Sequence, residues 1–142
     1  MAKQDIASRI SDYLLRQEEI VFAYLFGSFI YGDVFRDIDV AVYMEVKPDL
    51  IRFGLIKAEL DQLTGHETDL VLLNGLSEKN PAFANEIISR GELLFSRDSD
   101  LYTAYRRKAL LHYMDTARLR EQIEQALERR IETNKFGLRD YA

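Results

Sequence analysis

Residues 25–43 read LFGSFIYGDVFRDIDVAVY. The apolar run that leads into this stretch, residues 20–26 (IVFAYLF), is rich in aromatic and branched residues and suits a buried strand. It ends at Gly27-Ser28, a turn into a short helix. Gly32-Asp33 marks the next turn. Residues 37–44 (DIDVAVYM) then alternate, with Ile38, Val40 and Val42 on one side and Asp37, Asp39 and Ala41 on the other, the pattern of a strand with one apolar face.

Working outward, Ile6, Ile10, Tyr13 and Leu14 recur at steps of three and four and predict a helix over residues 3–17. Pro48 suits the first turn of a helix over residues 48–63, which Gly65 stops. Residues 67–73 (ETDLVLL) predict a third strand. Asn80-Pro81 opens another helix, Gly91 ends it, and ELLF makes a short fourth strand. No Gly or Pro occurs from residue 98 to 134, so a long helix, or two joined by a bend, is expected there. Strands alternating with helices predict an α/β domain with one mixed sheet (α+β in the looser sense). The pattern changes near Asp98, which divides the chain into a catalytic-type unit, residues 1–97, and a C-terminal helical extension, residues 98–142, packed on that unit or on a partner.

Asp37 and Asp39 fall on one side of their strand, with Cα atoms roughly 6.5–7 Å apart. Two carboxylates so close repel each other unless a cation stands between them. Mg²⁺ prefers oxygen ligands and commonly takes one or two carboxylates plus substrate phosphates. An Asp-x-Asp is common and by itself often faces water. Its context matters here. Gly27 lets backbone approach a phosphate, a helix N-terminus favours anions, and the Ser28 hydroxyl adds a donor. Asp69 is the one charged residue inside TDLVLL and is the candidate third carboxylate, as general base or as a ligand of an activating metal ion. The candidate catalytic and metal-binding residues are therefore Asp37, Asp39 and Asp69. Gly27, Ser28, Asp37 and Asp39 are the candidate nucleotide-binding set. The division of labour suits phosphoryl or nucleotidyl transfer, where catalysis is mostly positioning and charge neutralisation.

Composition narrows the field. The chain has 142 residues, 47% of them hydrophobic, enough for one compact domain with a core. It has no cysteine, which removes disulfides and thiolate chemistry and fits a reducing cytoplasm. A net charge of −5 counts against long nucleic acid as the main partner. No apolar run approaches a membrane span, and MAKQDIASRI lacks the apolar stretch of a signal peptide. A soluble cytoplasmic protein is the expectation.

The stretch LFGSFIYGDVFRDIDVAVY followed by TDLVLLN resembles the nucleotidyltransferases of the DNA polymerase beta superfamily. It is most similar to the minimal nucleotidyltransferase (MNT) antitoxins that accompany HEPN toxins, and the tail GELLFSRDSDLYTAYRRKALLHYMDTARLREQ is similar to the end of longer MNT antitoxins. The resemblance implies that Gly27, Ser28, Asp37, Asp39 and Asp69 form the active site with Mg²⁺ as cofactor and ATP as substrate. It further implies transfer of AMP to a tyrosine of a partner HEPN ribonuclease toxin, which silences it. The spacer between Gly27-Ser28 and Asp37, FIYGDVFR, is shorter than in many members. Two alternatives stay open: an antitoxin that acts by binding alone, and a nucleotidyltransferase acting on a small molecule.

Outside the motif, Leu101, Tyr105, Ala109, His112, Thr116, Leu119, Ile123, Leu127 and Ile131 form a stripe at helical spacing. A straight helix of this length either bends around the core or projects, and a projecting stripe needs a partner: a toxin chain or a second copy. Arg107 and His112 superficially match the Arg…His spacing of HEPN ribonucleases, but one helix does not make that bundle, and His112 reads as a packing residue. Arg106, Arg107 and Lys108 begin a helix face whose later basic residues alternate with glutamates, the pattern of a solvated surface. His66 and Glu67 read as strand-edge residues. Arg36 precedes the carboxylates and is a weaker candidate for a phosphate contact.

Overall fold

The structure is a computed structural model and describes residues 2–132; the end of the expected C-terminal extension, residues 133–142, lies outside the described residues. The elements, in chain order, are α1 (Lys3–Leu15), β1 (Ile20–Phe26), α2 (Ser28–Tyr31), β2 (Asp37–Met44), α3 (Leu50–Thr64), β3 (Glu67–Leu72), α4 (Leu76–Lys79), α5 (Pro81–Arg90), β4 (Glu92–Ser96) and α6 (Ser99–Glu132). The four strands form one sheet in the order β3-β2-β1-β4. β1 runs antiparallel to both β2 and β4, whereas β2 and β3 are parallel, so the sheet is mixed.

Each face of the sheet carries its own apolar cluster. Ile38, Val40, Val42 and Met44 of β2 pack with Ile6, Ile10 and Leu14 of α1 and with Ile56 and Leu60 of α3. The alternate residue Ala41 lies on the other face, with Phe22, Tyr24, Ala84, Ile87, Tyr105 and Ala109. The strand period of two thus sorts β2 between two layers of helix. Asp37 and Asp39 share the parity of Ala41 and, at the start of the strand, are only partly buried.

Two local expectations shift. α3 begins at Leu50, beyond Pro48, because the Asp49 carboxylate accepts from the Arg52 backbone N–H at 2.7 Å and caps the helix there. The one-turn α4 had no periodic signal; Gly75 in the left-handed region opens it. α5 starts as expected, with Pro81 in its first turn and Asn80 Oδ1 accepting from the Phe83 N–H.

α6 is a single helix of 34 residues, about 50 Å long at the standard rise. Its first turns are anchored: the Tyr105 hydroxyl donates to the Leu73 carbonyl at 2.6 Å, and the Tyr102 and Tyr24 hydroxyls lie 2.6 Å apart. Among the described residues none after Ala109 is buried; Leu119, Ile123, Leu127 and Ile131 are 46–68% exposed. Of the two geometries open to it, the helix takes the projecting one.

Candidate active site

The site is built where the end of β1 meets the start of β2. In the antiparallel register Phe26 pairs with Asp39, so Gly27 leaves the sheet directly beside the Asp39 carboxylate. The contact is very close: a Cβ on Gly27 would stand 2.1 Å from Asp39 Oδ2. Gly27 also has φ 79° and ψ −157°, a region essentially restricted to glycine. Two independent constraints, backbone conformation and the neighbouring carboxylate, therefore require glycine here. Ser28, exposed, is the first residue of α2, with Gly27 as its N-cap.

On the other flank, the parallel register pairs Asp39 with Asp69 and Asp37 with Glu67. Asp39 and Asp69 are side by side on adjacent strands, within hydrogen-bonding reach of each other. Burial, then the charge and hydrogen bond of Asp69, then the charge of Asp37 push the Asp39 carboxyl up to about 6 from its ordinary 3.8. The structure thus brings Asp37, Asp39, Asp69, Gly27 and Ser28 to one end of the sheet. Among the described residues no three acidic or His side chains are yet drawn together at metal-ligand spacing. The donor set nonetheless fits a hard divalent cation: the groups are all carboxylates, two of them in mutual contact, and they crowd one another in a way that a cation would relieve.

The eight-residue spacer is ordered by its own aromatics. Phe29 is buried and meets Phe35 edge-to-face at 4.7 Å. Lys3 Nζ stands 5.6 Å from both rings and donates to the Gly32 carbonyl. Its exposed residues are Tyr31, Asp33, Val34 and Arg36. Arg36 is exposed just before β2, and His66 leans on the Phe35 ring at 4.9 Å, a packing contact at a strand edge.

A cleft of about 420 Å³ opens on the Gly27 side of Asp39. Gly27, Asp39 and Gly91 line it, with Phe26, Tyr31, Phe83, Glu86 and Arg90 as its side-chain walls. Sequence reasoning missed these walls, because no motif links α2 to the distant α5. Gly91, which closes the end of α5, has a visible structural reason: a Cβ there would meet the Ile87 carbonyl at 2.4 Å and the Leu25 carbonyl at 3.0 Å.

Mixed sheet, glycine corner and paired carboxylates together define a nucleotidyltransferase fold. The chain belongs to the family described as polymerase beta nucleotidyltransferases, which matches residues 8–100. No curated protein matches it in sequence. Among solved structures it is similar to a chain of a toxin–antitoxin complex with AMP-PNP, at 24% identity and TM-score 0.69, covering 85% of this chain and 98% of that one. A complex of a tri-AMPylated HEPN toxin with its MNT antitoxin from Shewanella oneidensis matches at 22% identity and TM-score 0.69, covering 89% of this chain and 99% of that one. The toxin–antitoxin pair MntA–HepT matches at 21% identity and TM-score 0.67, over 87% and 98%. No helix among the described residues is long and apolar enough to cross a membrane.

Proposed function

We propose that this chain is an antitoxin that transfers AMP from ATP to a tyrosine of a partner HEPN-type toxin. The observation that carries the reading is the meeting of Asp39 with Asp69 on one flank and with Gly27 on the other. That arrangement gives a triphosphate-gripping corner and a carboxylate pair at the same end of the sheet. The likeness to complexes in which one toxin is tri-AMPylated supports the choice of acceptor.

Asp37, Asp39 and Asp69 would hold Mg²⁺, which when bound would neutralise phosphate charge and lower the pKa of the attacking hydroxyl. Gly27 and Ser28 would take the β- and γ-phosphates on backbone N–H groups and the Ser28 hydroxyl. Asp69 would accept the tyrosine proton. The tyrosine oxygen then forms a bond to the α-phosphorus, the bond from that phosphorus to the bridging oxygen breaks, and pyrophosphate leaves with the electron pair. The charge balances, since one P–O bond replaces another.

The test is incubation with [α-³²P]ATP, Mg²⁺ and the toxin partner. Wild-type chain is expected to label the toxin, and Asp39→Asn to lose at least about a hundredfold in rate. Labelling by Asp39→Asn at the wild-type rate would refute the assignment. The exposed stripe on α6 favours a second reading, neutralisation by binding alone; it predicts that Asp39→Asn still protects cells from the toxin.

A further inference from the structure

The outer face of α3 carries the wrong residues for a surface in water. Ile51, Gly54, Leu55, Ala58 and Gln62 recur at helical spacing and are all exposed, so they form the arc that points away from the sheet. Ile51 is 84% exposed and Leu55 48%; beside them, at the start of the helix, stand Leu50 at 87% and Val46 at 74%. The same helix buries Ile56 and Leu60 against the sheet, so it is apolar on opposite faces. Its charged residues are all engaged at the flanks. Arg52 holds Glu19 and Gln17, Lys57 pairs with Asp61 at 2.9 Å, Asp61 accepts from Thr68, and Glu59 accepts from the Tyr13 hydroxyl. A helix that is apolar all round is normally buried all round. Gly54 adds a separate signal. Glycine weakens a helix interior, and a Cβ here would meet nothing within 4 Å, so the fold of the single chain does not require it. A glycine facing open space fits the close approach of another backbone.

We propose that this face pairs with the same face of a second copy of this chain, α3 antiparallel to α3 about a twofold axis between Gly54 and Leu55. An isologous interface sets residue i of one copy against residue j of the other, and the reverse. With the axis there, Ile51 meets Ala58 and Leu55 meets Gly54, so each large side chain faces a small one in both directions. The arc is its own complement. It offers no charge to an acidic or basic partner, and the second copy supplies an uncharged apolar surface of matching shape. Val46, Leu50, Ile51 and Leu55 of both copies, at about 100 Å² each, remove on the order of 800 Å² from water, and the helix backbones and flanks carry the total to the roughly 1,000 Å² of a specific interface. The pairing lies on the opposite side of the sheet from α6, leaves the carboxylates and the projecting helix of each copy free, and does not depend on the reaction proposed above.

Sedimentation equilibrium of the full chain across about 1–100 µM tests the pairing, since a marginal interface of this size associates in the micromolar range. Wild type is expected to pass from monomer to dimer. Gly54→Gln favours helix in the separate chain, and it should weaken dimerisation at least about tenfold without lowering the unfolding midpoint of the dilute protein. Ile51→Lys puts a charge on the arc and should dissociate the dimer equally, which covers the case in which Gly54→Gln fails to fold. The chain has no cysteine, so single cysteines report the register. Leu55→Cys, at the axis, should crosslink two copies on oxidation. Gln62→Cys should not, because antiparallel pairing sets the two Gln62 positions roughly 22 Å apart along the helices. A wild type that stays monomeric at the highest concentration would overturn the proposal. So would a dimer that survives both Gly54→Gln and Ile51→Lys, and its loss in Ile123→Lys instead would place self-association on α6. Crosslinking through Gln62→Cys and not through Leu55→Cys would overturn the antiparallel register.

Discussion

At Asp39 burial, Asp69 and Asp37 all act in the same direction, against ionisation. Because the folded-state value, about 6, lies above the ordinary 3.8, the native protein holds this proton between those pH values and the unfolded chain does not. Stability of the metal-free protein therefore falls as pH rises from about 4 through 6, and the loss persists at pH 7. Asp39→Asn removes the ionisable group while keeping its shape. The metal-free variant is expected to be more stable than wild type at pH 7 by about 1 kcal/mol, a figure reduced for solvent screening at a partly exposed side chain. The gain should vanish below pH 4, and Mg-ATP should no longer raise the melting temperature. Thermal melts at pH 3.5 and pH 7, with and without Mg-ATP, check all three; a destabilised metal-free variant at pH 7 would refute the argument. Such opposition between stability and site chemistry is common where charges are gathered for catalysis. The residues of the carboxylate cluster and Gly27 were legible from sequence because each breaks a local rule: acids in a strand, a glycine at a strand's end. Tyr31, Phe83 and Arg90 break none, and only the fold brings them together.

At the scale of elements, the strands and long helices were legible because their hydrophobic periods differ, whereas register was not. The register that matters aligns Asp39 with Asp69, and a side chain outside the site helps to pin β3 there. Asp61, in the last turns of α3, accepts from the Thr68 backbone N–H at 2.7 Å and from the Thr68 hydroxyl at 2.5 Å, and pairs with Lys57 at 2.9 Å. Thr68 is fully buried and immediately precedes Asp69. Burial pushes the Asp61 carboxyl up, but the bonds from Thr68 and Lys57 outweigh it and hold it below the ordinary 3.8. A depressed carboxyl stabilises the fold above its unfolded pKa and loses that contribution as pH falls through the folded value. Asp61→Ala leaves a buried N–H without its acceptor and is expected to cost about 1–3 kcal/mol at pH 7. The difference from wild type should shrink below about pH 4, where wild type loses the same interaction. Urea unfolding at pH 7 and pH 3 measures both; a constant difference across that range would show that the carboxylate charge plays no part.

The whole molecule divides its work between a packed body and a projecting rod. Sequence predicted the rod's apolar stripe but left both bending and projection open, since helical spacing alone does not say what a stripe faces. The structure decides it through Tyr102, Tyr105 and Ala109, which bind the first turns of α6 to the sheet, while the later stripe residues remain in solvent. If none of the described residues after Ala109 is buried, the remainder of the helix contributes little to the core and its loss should be nearly silent for folding. A chain ending before Asp115 keeps all three anchors and the Lys108–Glu78 ion pair. Its melting temperature is expected to fall by no more than about 4 °C, the change produced by roughly 1 kcal/mol in a domain of this size. Its affinity for Mg-ATP should equal that of the full chain, because the glycine corner, the carboxylates and the cleft all lie in residues 26–91. Differential scanning calorimetry and nucleotide titration of the shortened chain test this together. Loss of cooperative unfolding, or of nucleotide binding, would show that the distal helix folds back on the body instead of standing clear of it.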